Sequence, residues 1–157
     1  DAVLTAEAEL RGKYEEFSLH RTEAERAADM CRTIGAGPSE LIRGTIGNRD
    51  ATTKGKALLG SPAFDADEFG KLLTVQHRFL RETLKVSTSK IDRMLDASLA
   101  AGAAGGKING SGGGGCMFAY APDHPEEVKE AICRAGGRAW IVSVDEGVRL
   151  ESQGSAG

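Results

Sequence analysis

The sequence predicts an α+β fold in which helices cover one face of an antiparallel-rich sheet. Three observations carry this. The first half of the chain reads almost wholly as helix. After Gly102 the apolar period shifts from helical spacing to alternation. The second half then runs strand, loop, strand, helix, strand. The chain's 157 residues suffice for a single domain, over residues 1–157, that buries about 70% of its unfolded surface. Aromatic residues make up only 5%, so the core falls to Leu, Ile, Val, Ala and Met.

Residues 1–19 are weakly patterned, with Val3, Leu4, Leu10, Tyr14 and Phe17 at partial helical spacing. A helix is expected over 20–34, with Ala24, Ala27, Cys31 and Ile34 on one face and Gly35 as its stop. Residues 35–48 carry Gly35, Gly37, Gly44, Gly47 and Pro38 and read as loop, with at most a short turn at 39–43. A helix over 49–59 ends at Gly60. The clearest helix runs from Asp65 to Leu84, striped by Phe69, Leu72, Leu73, Gln76, Leu80 and Leu84. Val86-Ser87-Thr88 breaks it and caps the next helix, which spans about Lys90 to Ala101 with Ile91, Met94, Leu95, Ser98 and Leu99 inward.

Gly105–Asn109 is then a short strand, and Cys116–Ala121 a second. Asp123-His124-Pro125 starts a helix, since proline is tolerated in the first turn. Val128, Ala131, Ile132 and Ala135 carry it to Gly136-Gly137. Arg138–Val144 is expected as a strand with Trp140, Val142 and Val144 on one side. Asp145-Glu146-Gly147 reads as a turn, Val148–Leu150 as a last edge strand and 152–157 as a loose tail.

The net charge of −3 and a pI near 5.7 give no nucleic-acid surface. No stretch approaches a membrane span, and the N-terminus is not a signal peptide. Cys31, Cys116 and Cys133 are odd in number and lack C-x-x-C spacing, so they read as small buried hydrophobes in a reduced, cytoplasmic protein. The chain opens at Asp1 without methionine and reads as a piece of a longer protein.

The functional signal is Gly110-Ser111-Gly112-Gly113-Gly114-Gly115. Only glycine combines positive φ with close backbone approach, so such a loop can bring several N–H groups to one anion. Gly110, Gly112 and Gly115 match G-x-G-x-x-G in form, but a dinucleotide fingerprint needs a helix after it and here a strand follows. No Gly-Lys-Ser/Thr ends the loop, so it is not a Walker A loop. The rival reading is a flexible Gly-Ser hairpin or linker; core-like flanks favour a structured phosphate-side loop.

Other candidates have blander readings. His77 shares its face with Leu73, Leu80 and Leu84 and reads as a hydrogen-bonded residue at the core edge rather than a base. His20 and His124 lie near helix starts with no evident partner. Ser87, Thr88 and Ser89 read as caps, and Asp92 and Asp96 as solvated acids. No catalytic residue and no metal site are expected, because neither an acid/base pair nor a His-x-x-x-His pattern occurs.

The run Gln76-His77-x-x-Leu80-Arg81, Leu84-Lys85-Val86-Ser87, Ile91-Asp92 and Gly102-Ala103-x-Gly105 through Cys116 resembles the C-terminal half of the GHMP small-molecule kinases, most of all the galactokinase branch. The resemblance covers roughly residues 20–150. The chain departs from common galactokinases at Lys107 and Gly114, where arginine and phenylalanine are often seen. The resemblance implies a ferredoxin-like α+β core extended by helices. It implies ATP and Mg²⁺ as cofactors, a sugar such as galactose as acceptor, and an N-terminal kinase domain as partner, which holds the main nucleotide and magnesium groups. Gly110–Gly115 would then lie near the ATP phosphates, and this chain alone would be inactive. An apolar patch beside the loop is expected where the missing domain docked, which leaves a homodimer through it open. The alternative is a non-catalytic ligand-sensing or interaction module on the same core.

Overall fold

The computed structural model describes residues 2–147. Its α+β class agrees with the sequence, and it is built as two hydrophobic clusters joined by one central helix. The first cluster is helical. It unites α1 (Ala2–Lys13), α2 (Ala24–Met30), a 3₁₀ turn at Cys31–Thr33 and α3 (Ala36–Leu59). Leu10, Phe17, Met30, Cys31, Ile42 and Ile46 are buried there. The segment after α1 is pinned by Arg49 of α3, whose guanidinium donates to the carbonyls of Leu19 (2.6 Å) and Thr22 (3.0 Å).

The loop expected over 35–48 is in fact the first half of α3. Pro38 stands in the first turn, where no intrahelical partner awaits its missing amide; the first ladder bond runs from the Ser39 N–H to the Gly35 carbonyl at 2.9 Å. Gly44 and Gly47 face the segment after α4. A Cβ on Gly44 would overlap the Thr83 side chain, and one on Gly47 the ring of Phe79. These glycines mark close helix packing, not loop. The helix expected over 20–34 is shorter than the sequence suggests, and Ala24 is exposed.

The second cluster joins α5 (Ser89–Ala100), the hairpin β1 (Gly105–Asn109) and β2 (Cys116–Tyr120), and α6 (Pro125–Arg134). The strands are antiparallel, with Gly105 opposite Tyr120 and Asn109 opposite Cys116. Ile91, Met94, Leu95, Ile108, Val128 and Ile132 form its centre. Both α5 and α6 end in the same way. Gly102 (φ 100°) and Gly136 (φ 93°) turn left-handed, and the next N–H returns to Ser98 or Ile132 at 3.0 Å. Thr88 caps α5 as expected, accepting from the Ile91 N–H.

Between the clusters lies α4 (Ala66–Arg78), capped by Asp65. Its last turn widens into a π-helical segment, Phe79–Thr83. The expected helix to Leu84 is therefore present but changes its winding. Phe64 and Phe69 each meet the Tyr120 ring edge to face, at 6.4 and 5.4 Å, and lie tilted against one another at 5.6 Å, fastening α4 to β2.

Arg138–Val144 is not a strand. It runs without regular structure, and Trp140, Val142 and Val144 are exposed. Its alternation suits a ladder, but no described strand lies beside it to supply one. Cys133 and Cys116 are exposed rather than buried. Cys133 sits one residue past the inward-facing Ala131 and Ile132. Val148–Leu150 and the 152–157 tail lie outside the described residues. Among the described residues no helix is long and apolar enough to cross a membrane.

The tightest backbone approach is that of α4 to β1. A Cβ on Gly105 would fall on the Gly70 carbonyl, and one on Gly70 on the Ala104 peptide. Gly105→Ala is expected to destabilise the protein by about 2–3 kcal/mol, since backbone cannot yield as a side-chain end does. Gly12→Ala, where a Cβ meets nothing within 4 Å, should be neutral or stabilising by up to about 1 kcal/mol. Urea midpoints followed by circular dichroism test both.

Candidate functional site: the glycine loop and its support

The glycine-rich segment is the connection of the β1–β2 hairpin, closed by the Asn109–Cys116 pair. Strand pairing on both sides removes the linker reading. Gly110, Gly112, Gly113, Gly114 and Gly115 have φ of 81°, 85°, 76°, 127° and 86°, a left-handed run that side chains resist. Around Gly110, Gly113, Gly114 and Gly115 there is open space. The glycines therefore serve the backbone path and whatever approaches from outside, not internal packing. Gly112 is the exception, since a Cβ there would strike Val86.

One loop amide is already committed. The Gly113 N–H donates to the Val86 carbonyl at 2.7 Å. No comparable bond engages the N–H groups of Ser111, Gly114 or Gly115. These remain for a ligand, so the sequence expectation of a loop rich in donors narrows to fewer amides. Lys107 does not extend over the loop. Its Nζ lies 5.6 Å from the centre of the Phe118 ring, its cross-strand partner, and burial lowers its pKa.

Val86 belongs to a turn of its own. The π-helical segment ends with the Leu84 N–H on the Phe79 carbonyl at 3.1 Å. Lys85 then takes φ 54°, the one described non-glycine residue with positive φ. This reversal sends the Val86 N–H back to the Leu80 carbonyl at 3.0 Å and turns its own carbonyl toward Gly113. An open groove lined by Ala6, Pro38, Leu41, Thr83 and Lys85 borders this turn.

Behind the loop lies a polar cluster. His77 is buried on α4, and its Nδ1 accepts the Ile108 N–H of β1 at 3.3 Å. That assigns the ring proton to Nε2, which faces Asp92 Oδ1 at 3.3 Å. The Ser87 hydroxyl donates to the same oxygen at 2.6 Å. The hydrogen-bonded histidine at the core edge is as expected. Asp92 is not a solvated acid, however, and Ser87 is not a cap: they bond each other. The Ser87 hydroxyl donates to Asp92 and makes no hydrogen bond to His77, so the pair is not arranged as a serine–histidine nucleophile. Asp96 and Ser89 are exposed. His20 is a surface residue, and His124 stands 3.9 Å from Glu127. Among the described residues no group of three His, Cys, Asp or Glu could hold a metal.

The hairpin loop, the turn that braces it and the helices behind them coincide with a known family. Residues 57–138 match the family model described as "GHMP kinases C terminal". That is over half of the chain, and the chain belongs to the GHMP kinase family through its C-terminal region. Similar proteins include the mevalonate kinase of Thermococcus onnurineus, 46% identical over 85 residues, covering 54% of this chain and 25% of that protein. The mevalonate kinase of Pyrococcus abyssi is 40% identical over 102 residues, covering 62% and 30%. The galactokinase of Mycobacterium bovis is 31% identical over 136 residues, covering 76% and 38%. The chain thus spans between 25% and 38% of the length of these relatives.

His77 makes stability depend on pH. Burial holds its pKa below the ordinary 6.5, helped by the Arg81 charge and opposed by the bond to Asp92 and the charges of Asp92 and Asp96. The unfolded chain therefore binds the proton more readily than the folded one. The stabilisation from neutral His77 is complete above about pH 6.5 and is lost as pH falls from there through the folded-state value. His77→Ala should cost about 1–3 kcal/mol at pH 7.5 by leaving the Ile108 N–H unpaired. His77→Gln should flatten this part of the pH profile. Thermal midpoints from pH 5 to 8 read out both.

Proposed function

We propose that the chain is the C-terminal portion of an ATP-dependent kinase that phosphorylates a small-molecule hydroxyl, with Gly110–Gly115 lying beside the ATP phosphates. The observation that carries this is the left-handed run of glycines with open space around it and uncommitted N–H groups at Ser111, Gly114 and Gly115. Phosphoryl transfer is mostly positioning and stabilisation of charge on phosphate oxygens. Backbone N–H groups held in place supply that without any side-chain chemistry. The described residues offer no set of ligands for Mg²⁺, so we assign the metal and the main nucleotide contacts to an N-terminal kinase domain. This chain's part is to orient phosphates and to form one wall of the cleft.

For the acceptor we favour a sugar hydroxyl of the galactose type, because the galactokinase similarity covers the larger share of this chain. The higher identity to mevalonate kinases supports mevalonate as the second reading. Cytoplasmic location and the absence of nucleic-acid or membrane partners belong to the same proposal, as small metabolites and ATP meet there.

The test is ADP release by the full-length protein with Mg-ATP and either galactose or mevalonate. Turnover with galactose is expected, and none from the 157-residue chain alone. Turnover with mevalonate alone would move the acceptor; turnover with neither would remove the kinase reading for these two acceptors. Gly115→Val should lower kcat about 100-fold, the scale of losing a preorganised backbone donor. Backbone strain at φ 86° should cost about 1–3 kcal/mol. Normal kcat with a lowered urea midpoint would make the loop merely structural.

A further inference from the structure

We propose that His77, Asp92 and Ser87 act together as positioning residues that hold the glycine loop in register with the phosphates; this rests on the kinase reading above. The hairpin connection is six residues long, and its middle is tethered by one backbone bond among the described residues, the Gly113 N–H on the Val86 carbonyl at 2.7 Å. Where that carbonyl sits is decided by two neighbours. Lys85 reverses the chain before it, and Ser87 fixes the chain after it by donating to Asp92 Oδ1 at 2.6 Å. The strand that leads into the loop is fixed from the same place. Ile108, two residues before Gly110, gives its N–H to His77 Nδ1, and His77 Nε2 faces Asp92 Oδ1. The entry of the loop and the anchor of its middle therefore meet at one carboxylate oxygen.

The donors and acceptors admit one protonation state. The Ile108 N–H can only donate, so Nδ1 must be bare. Nε2 then carries the proton and donates to Asp92 Oδ1, which also accepts from the Ser87 hydroxyl. A proton added at Nδ1 would set N–H against N–H and release β1 at the loop's entry. The charged groups around His77 are Asp92 and Asp96 on α5 and Arg81 on the π-helical segment. Arg81 opposes the imidazolium and both aspartates favour it. Burial decides the balance toward the neutral ring that the arrangement needs. These residues lie behind the hairpin, and their bonds run to the backbone and to one another. They act through the loop.

The test uses the full-length kinase with two readouts. In steady-state kinetics Ser87→Ala should lower kcat about tenfold, with the acceptor KM unchanged and the thermal midpoint nearly so; Ser87→Thr should restore kcat. His77→Gln keeps an acceptor for Ile108 and a donor for Asp92 but cannot titrate. It should stay within about twofold of wild type at pH 7.5 and lose the fall in kcat that wild type shows as His77 protonates. The second readout needs no turnover. Amide hydrogen exchange at Gly113 should be about tenfold faster in Ser87→Ala than in wild type, while exchange at Leu95 in α5 is unchanged. Unaltered Gly113 exchange in Ser87→Ala overturns the proposal whatever the activity. So does wild-type kcat in Ser87→Ala, or an acid limb in His77→Gln like that of wild type. If wild type turns over neither galactose nor mevalonate, the kinase reading fails on its own, and the exchange result still decides whether the three residues hold the loop.

Discussion

The flush contact of α4 with β1 is the constraint on which the remaining geometry depends. Two glycines, Gly70 and Gly105, remove the side chains that would hold helix and strand apart. With backbones this close, a side chain two turns further along α4 reaches the strand's own amides. His77 is that side chain, seven residues after Gly70, and it takes the Ile108 N–H. A wider helix–strand spacing would leave that donor without a partner. The price is conformational entropy at both glycines, offset by a buried hydrogen bond and by dense packing. Past the end of α4, the π-helical segment meets α3 at similarly short range through Gly44 and Gly47.

The end of α4 converts this rigid packing into a shaped site. An α-helical continuation would have carried Leu84 onward in the same direction. The π-helical turn and the left-handed Lys85 stop it and aim one peptide carbonyl at the hairpin. Lysine tolerates that conformation less readily than glycine. Unusual winding and a strained residue side by side are features often found where a protein must place backbone atoms for function.

Much of this was legible in the sequence. The strands at Gly105–Asn109 and near Cys116–Tyr120, the helix from Pro125 and the Thr88 cap follow from apolar period and terminus chemistry, which are local. The hairpin nature of the glycine loop was readable because strand-like sequence flanks it. What failed to be readable depends on distant neighbours. Gly44, Gly47 and Pro38 look like loop residues until Thr83, Phe79 and the first-turn position of Pro38 explain them. Asp92 looks solvated because its partners lie five and fifteen residues away. The spacing of Leu-x-Val-Ser to Ile-Asp was the available signal, but spacing alone does not say that two residues face each other. Trp140, Val142 and Val144 alternate like a strand, yet a strand requires a partner that the described residues do not provide.

Trp140 is the single tryptophan of the chain. It is 72% exposed and lies beside Arg138, with the guanidinium 5.9 Å from its ring. The intrinsic fluorescence of this protein therefore reports on one extended segment outside both hydrophobic clusters. Melting of the helices and the hairpin leaves the indole in water before and after, so its emission stays red. A shift to the blue has a different meaning: something has covered the 138–144 segment. The chain thus carries a built-in optical probe of association that is nearly blind to its own folding.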